Sequence, residues 1–180
     1  MALRRKKTAV DDEVSIVIDA PADRLYDIVS DVSKMGRLSP ECTGGKWLGG
    51  AKGPSVDARF KGRNRRGPVM WSTTNTVVAA NRGREFAFET KQSGTRWRYR
   101  FEPVGDGDNR TVVTESREPW RSRPMVARVF SVLFLGGIKD HDEEMREGMR
   151  ASLERLKSVA ESAEKPTRRR RRKGRATASA

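Results

Sequence analysis

The stretches VMWSTTNTVVAA (69–80), REFAFET (84–90) and TRWRYRFEPV (95–104) decide how this chain is read. Each alternates apolar and polar side chains with the period of 2 that a half-buried strand requires. In the last of them Trp97, Tyr99 and Phe101 share one face, while Arg96, Arg98 and Arg100 share the other. The connections, Asn81-Arg82-Gly83 and a gap ending in Ser93-Gly94, consist largely of turn formers. Gaps this short join only antiparallel neighbours, because a parallel crossover needs about a dozen residues or more.

The same period continues on both sides. Residues 46–49, around Trp47 and Leu48, read as a short strand. In residues 55–61, Val56, Ala58 and Phe60 alternate with Asp57, Arg59 and Lys61. Residues 109–117 form the last strand, after the turn Gly105-Asp106-Gly107-Asp108. A first strand is predicted at 13–20 from Val14, Ile16 and Ile18. Helical spacing flanks this block. Pro21 opens a helix in which Leu25, Ile28, Val29 and Val32 recur, Met35-Gly36 breaks it, and Pro40 closes a short second piece. From Pro124 the helical period returns, but one helix over 124–163 would be about 60 Å long, too long for this domain. Gly136-Gly137 supplies a break, and a new helix starts at Asp140 with Glu143 three residues on, a capping-box-like opening. Met145, Met149, Leu153, Leu156 and Ala160 form one apolar stripe along it.

The 180 residues fit one domain. Apolar residues make up 35%, below the globular average of about 45–50%, so part of the chain lies outside any packed core. Lys and Arg number 38 against 24 Asp and Glu, a net charge of +14. Four basic residues at 4–7 and seven at 168–175 account for eleven of these charges, which leaves +3 for everything between. The chain therefore divides into a basic N-terminal extension (1–12), a folded domain (13–163) and a disordered Arg-rich tail (164–180). The lone Cys42 excludes an intrachain disulfide and, with the lone His141, the usual Cys/His zinc sites. No apolar run follows Lys7 as in a secretory signal. The longest apolar run, 125–138, is interrupted by Arg128 and falls short of the roughly 20 residues of a spanning helix. The expectation is a cytoplasmic protein without a transmembrane segment. There is no Gly-Lys-Ser/Thr and no Gly-x-Ser-x-Gly, and the acids of the 105–108 turn would repel phosphate. No cofactor and no metal are expected.

Three blocks carry a family resemblance: VSIVIDAPADRLYDIVSDVSKMGRLSPE (14–41), TRWRYRFEPVGDGDNRTVVTES (95–116) and GGIKDHDEEMREGMRASLERLKSVAE (136–161). With the order of elements, they make residues 13–163 resemble the START/Bet v 1-like (SRPBCC) superfamily, in its bacterial polyketide cyclase/dehydrase and lipid-transport branch. Leu38 stands where the family pattern commonly has Trp before Ser-Pro-Glu, an apolar-for-apolar change. The resemblance implies an α+β helix-grip fold. An antiparallel sheet of about seven strands would wrap around a long C-terminal helix, with two short helices after strand 1. It also implies a cavity for an apolar ligand between sheet and helix; the spacing alone equally permits a filled core.

The ligand-cavity candidates are Trp71, Phe86, Phe88, Trp97, Tyr99 and Phe101, with Met145 and Met149 on the helix. Thr73 and Asn75 join them, because they share the face of Trp71 where a tight core would place apolar side chains. The rings line an aromatic pocket with Tyr99 as its polar handle, or they fill a solid core. Gly148 costs up to about 1 kcal/mol relative to Ala inside a helix, and marks either room beside a cavity or a close helix–sheet contact. For proton transfer the candidates are Tyr99 and Glu115, with His141 in a first helical turn, and no spacing ties them together. Thr111, Val113 and Glu115 oppose Val112, Thr114 and Ser116, and each set holds one Val, so the inward face of that strand stays open.

Three functions are consistent with these residues. The first is binding, transport or sequestration of a hydrophobic or aromatic small molecule or lipid. The second, implied by the resemblance, is a polyketide cyclase, aromatase or dehydratase in which Tyr99 or Glu115 moves a proton. The third is association with nucleic acid or an anionic membrane through Arg168, Arg169, Arg170, Arg171, Arg172, Lys173 and Arg175, with salt-dependent affinity. That tail has no aromatic to stack a base, and its plainer reading is a solubilising extension. Arg96, Arg98 and Arg100, with Arg59, Lys61 and Arg63, form a basic sheet face that meets a polyanion or is simply solvated beside Asp57, Glu89 and Glu102.

Overall fold

A computed structural model describes residues 12–105, 109–121 and 138–162, with side chains of the last helix from Met145 onward. The basic tails, the apolar run before residue 138, the Gly136-Gly137 break and the His141 side chain lie outside the described residues. The elements are β1 (Asp12–Ile18), α1 (Ala22–Ser30), a 3-10 helix (Val32–Arg37), β2 (Cys42–Leu48), β3 (Arg59–Arg66), β4 (Val69–Asn81), β5 (Glu85–Thr90), β6 (Thr95–Pro103), β7 (Thr111–Pro119) and α2 (Ile138–Ser162). The seven strands form one sheet in the order β1-β7-β6-β5-β4-β3-β2, and every pairing is antiparallel. With α2 against the sheet, this is the helix-grip α+β architecture.

The strand predicted at 55–61 is shifted in the structure, where β3 starts at Arg59 and runs to Arg66. Asp57 takes a φ of 66°, a left-handed conformation that interrupts an extended run, and Val56 is exposed. β2 is longer than the predicted 46–49 because Gly36 and Gly45 let the 3-10 helix rest on its backbone. A Cβ at Gly36 would come within 2.8 Å of the Thr43 carbonyl, and one at Gly45 within 2.9 Å of the Val32 carbonyl oxygen. Strand β1 takes in Asp12, one residue earlier than expected.

The core lies between the sheet and the helices. Ile18, Leu25, Val29, Val77, Val113, Leu153, Leu156 and Ala160 are sealed from solvent. On the outer face the Arg triplet of β6 is neutralised across strands: Arg96 pairs with Glu118 at 3.0 Å and also with Glu89, Arg98 with Glu85 at 3.3 Å, and Arg100 with Glu13 at 2.9 Å. Such partly exposed pairs contribute about 0–1 kcal/mol each, so they set the solvated side of the sheet more than its stability. Among the described residues, no helix is long and apolar enough to cross a membrane.

Candidate functional site

The antiparallel register sorts the inner face of the sheet into rows. One row runs Phe86–Tyr99–Glu115–Val14, the next Phe88–Trp97–Arg117, and a third Phe60–Asn75–Thr90–Thr95. Under α1 the face is filled. Tyr26 meets Phe86 and Phe101 edge-on, each with ring centroids 6.1 Å apart. Toward β3 and β4 the inward residues include Gly62, Thr73, Asn75, Thr90 and Thr95, which are small and leave open volume beneath α2. A cavity of about 710 Å³ remains there, bounded by the sheet, the 3-10 helix and α2.

Of the residues expected at a cavity, Trp71, Thr73, Asn75, Phe88, Trp97, Tyr99, Met145 and Met149 border it. Phe86 and Phe101 do not; they belong to the packed core beneath α1. They share the inward face of their strands with Phe88 and Trp97, but lie in the part of the sheet that Tyr26 covers. Val29, Leu38, Gly62, Thr90, Thr95, Arg117 and Ser152 also border the cavity and escaped the sequence reading. The alternation that places Phe60 and Phe88 inward carries Gly62 and Thr90 to the same side, and that was the available signal.

Glu115 faces inward and is 3% exposed. It sits directly across from Tyr99 in the β6–β7 register, and the Tyr99 hydroxyl donates to Glu115 Oε1 at 2.7 Å. Glu115 Oε2 is buried and has no hydrogen-bond partner among the described residues. Burial pushes the carboxyl up to about 8, and the Tyr99 hydrogen bond offsets only part of that. The same burial, with Glu115 beside it, holds the Tyr99 phenol well above its ordinary value. Arg117, two residues along β7, turns instead to Asp12, which also accepts from Arg146 Nε at 3.2 Å. Burial raises the Asp12 carboxyl, but hydrogen bonds and charge from Arg146 and Arg117 outweigh it and leave Asp12 below the usual carboxylate range. The two carboxyls of this region are thus shifted in opposite directions. Asp12 is held toward its ionised form and ties β1, β7 and α2 together, whereas burial holds Glu115, on the cavity wall, toward its protonated form.

A second polar group lies in the third row. The Thr90 hydroxyl donates to Asn75 Oδ1 at 2.8 Å, and Asn75 Nδ2 donates to Thr73 Oγ1 at 3.2 Å. On α2, Gly148 borders the cavity, and a Cβ there would meet only Pro40 Cγ, at an ordinary 3.5 Å. Close packing therefore does not require this glycine. Gly148→Ala is expected to stabilise the protein by up to about 1 kcal/mol through helix propensity, measured by urea unfolding. A loss of stability would show that the backbone needs the space.

The fold and the cavity together define a helix-grip protein with a lined site between sheet and helix. Residues 10–161 match the family described as polyketide cyclase / dehydrase and lipid transport, and the chain belongs to that family. Among solved structures, a Polyketide_cyc-like protein from Corynebacterium glutamicum is 29% identical with a TM-score of 0.55, covering 88% of this chain and 96% of its own. The di-domain ARO/CYC BexL from the BE-7585A biosynthetic pathway is 18% identical with a TM-score of 0.64; the match covers 88% of this chain and 48% of BexL. A Deinococcus radiodurans protein is 15% identical with a TM-score of 0.58, over 86% of this chain and 99% of its own. The search of curated proteins returned no match. The family is one of hydrophobic-ligand binding or cyclase roles.

Proposed function

We propose that the protein binds a hydrophobic or aromatic small molecule or lipid between the sheet and α2, for carriage or sequestration. The supporting observation is the cavity itself. Its 710 Å³ falls within the about 300–1,000 Å³ typical of small-molecule sites. Trp71, Phe88, Trp97, Leu38 and Met149 supply apolar wall, and an apolar guest covering it gains roughly 25 cal/mol per Å² removed from water. Native mass spectrometry of the purified full chain is expected to show an organic molecule bound at one per chain and released on denaturation. Identical native and denatured masses, with no uptake of added lipid, would contradict this reading.

One observation favours a second reading, catalysis: the 2.7 Å Tyr99–Glu115 pair on the cavity wall. A neutral carboxylic acid at pH 7 can donate its proton to a ligand oxygen, while Tyr99 holds the other carboxyl oxygen in place. That chemistry suits a cyclisation or dehydration, and BexL, an ARO/CYC protein of the same fold, is consistent with it. Tyr99→Phe and Glu115→Gln are expected to abolish turnover of a polyketide-like substrate while leaving its binding intact. Normal turnover by both variants would remove these roles.

A further inference from the structure

We propose that Thr73 and Asn75, backed by Thr90, form a polar subsite that receives a carbonyl oxygen at one end of an elongated apolar ligand; this rests on the reading of the cavity as a ligand site. Asn75 is 3% exposed and borders the cavity. An amide has two donor hydrogens and two acceptor positions, and Asn75 engages one of each, from Thr90 and to Thr73. Thr73 Oγ1 accepts from Asn75 and keeps its own O–H, for which the described residues provide no acceptor. One amide hydrogen and one hydroxyl hydrogen are therefore left side by side, both donors. They match an oxygen with two lone pairs.

Gly62 lies directly across the β3–β4 pairing from Thr73 and leaves room for these two side chains. It occupies the middle of β3, where glycine weakens a strand and often marks close approach of a ligand. A Cβ there would come within 2.7 Å of Thr73 Oγ1 and 3.3 Å of Asn75 Nδ2, directly against the two donors. A filled core would favour an apolar side chain at 75.

The subsite also gives the ligand a length. The Asn75–Thr90–Thr95 row and the Tyr99–Glu115 row are four strand residues apart on β6, about 13 Å of chain. Phe88 and Trp97 lie in the row between. Asn75 is also two strands over from Tyr99, about 10 Å sideways, so the two polar ends lie roughly 16 Å apart and a guest that reaches both while lying on those rings is elongated. The class is thus an elongated aromatic ketone or a similar carbonyl compound.

The test uses 6-propionyl-2-(dimethylamino)naphthalene, an aromatic ketone whose emission moves to the red when its carbonyl accepts hydrogen bonds, and 2-(dimethylamino)naphthalene, which lacks the carbonyl. Thr73→Val and Asn75→Leu are each expected to weaken ketone binding about tenfold, the cost of one lost hydrogen bond, and to shift its bound emission to the blue. The carbonyl-free probe should change less than about twofold. Gly62→Ala should weaken the ketone by crowding the same donors. Thr73→Val is nearly isosteric and keeps the test decisive where Asn75→Leu fails to fold, as checked by circular dichroism. Equal losses for both probes, or no loss for either, would overturn the subsite alone. Failure of the unaltered protein to bind either probe would overturn the underlying cavity reading and the subsite with it.

Discussion

Glu115→Gln is expected to remove a pH-dependent loss of stability between about pH 4.5 and 8. The folded protein holds the Glu115 proton up to about 8, whereas an unfolded chain releases it near the ordinary 4.5. Below 4.5 both states are protonated and the carboxyl costs nothing. Between the two values unfolding releases a proton, so stability falls by about 1.4 kcal/mol per pH unit, and the loss levels off above 8. Relative to Glu115→Gln, the unaltered protein should therefore lose about 3 kcal/mol between pH 4.5 and 7. The Gln carbonyl can still accept from Tyr99, so the comparison isolates the charge. Urea unfolding of both proteins at pH 4.5, 7 and 8.5 measures it. Parallel stability profiles would show that Glu115 is not held neutral, and would remove the acid from the catalytic reading.

Phe86→Ala is expected to cost about 3–5 kcal/mol, the usual range for removing a fully buried ring. Phe86 is 0% exposed and packs on Tyr26 and Phe88, so no neighbour can collapse into the space without losing its own contacts. Trp71→Ala should cost distinctly less, because its ring borders open volume and its loss enlarges a cavity already present. The same urea experiment tests the pair. Equal costs would mean that Trp71 is as tightly packed as the core, and that the division of the inner face into filled and open parts is wrong.

How far the sequence carried the account follows from what alternation can encode. Period 2 assigns a side chain to a face, and it placed Trp97 and Tyr99 opposite Arg96 and Arg98 as the sheet does. It says nothing about position along the strand relative to the covering helix. Phe86 and Phe88 share parity, yet α1 covers the first and leaves the second at the cavity. Glu115 was unreadable for another reason. Thr and Val tolerate either face, each face of β7 holds one Val, and only the β6–β7 register brings Glu115 to Tyr99, 16 residues earlier. The void itself was implied by the family resemblance. Its local cause, Gly62 facing Thr73 and Asn75, depends on a β3–β4 pairing that a misplaced third strand obscured.

The central claim, that the space between sheet and α2 is a ligand site, is tested most directly by titrating the full chain with the apolar fluorophore N-phenyl-1-naphthylamine. Saturable binding at one probe per chain is expected, lost in a Gly148→Trp variant whose side chain enters the cavity and which circular dichroism shows to be folded. Absence of saturable binding to the unaltered protein, or undiminished binding to the folded variant, would contradict it.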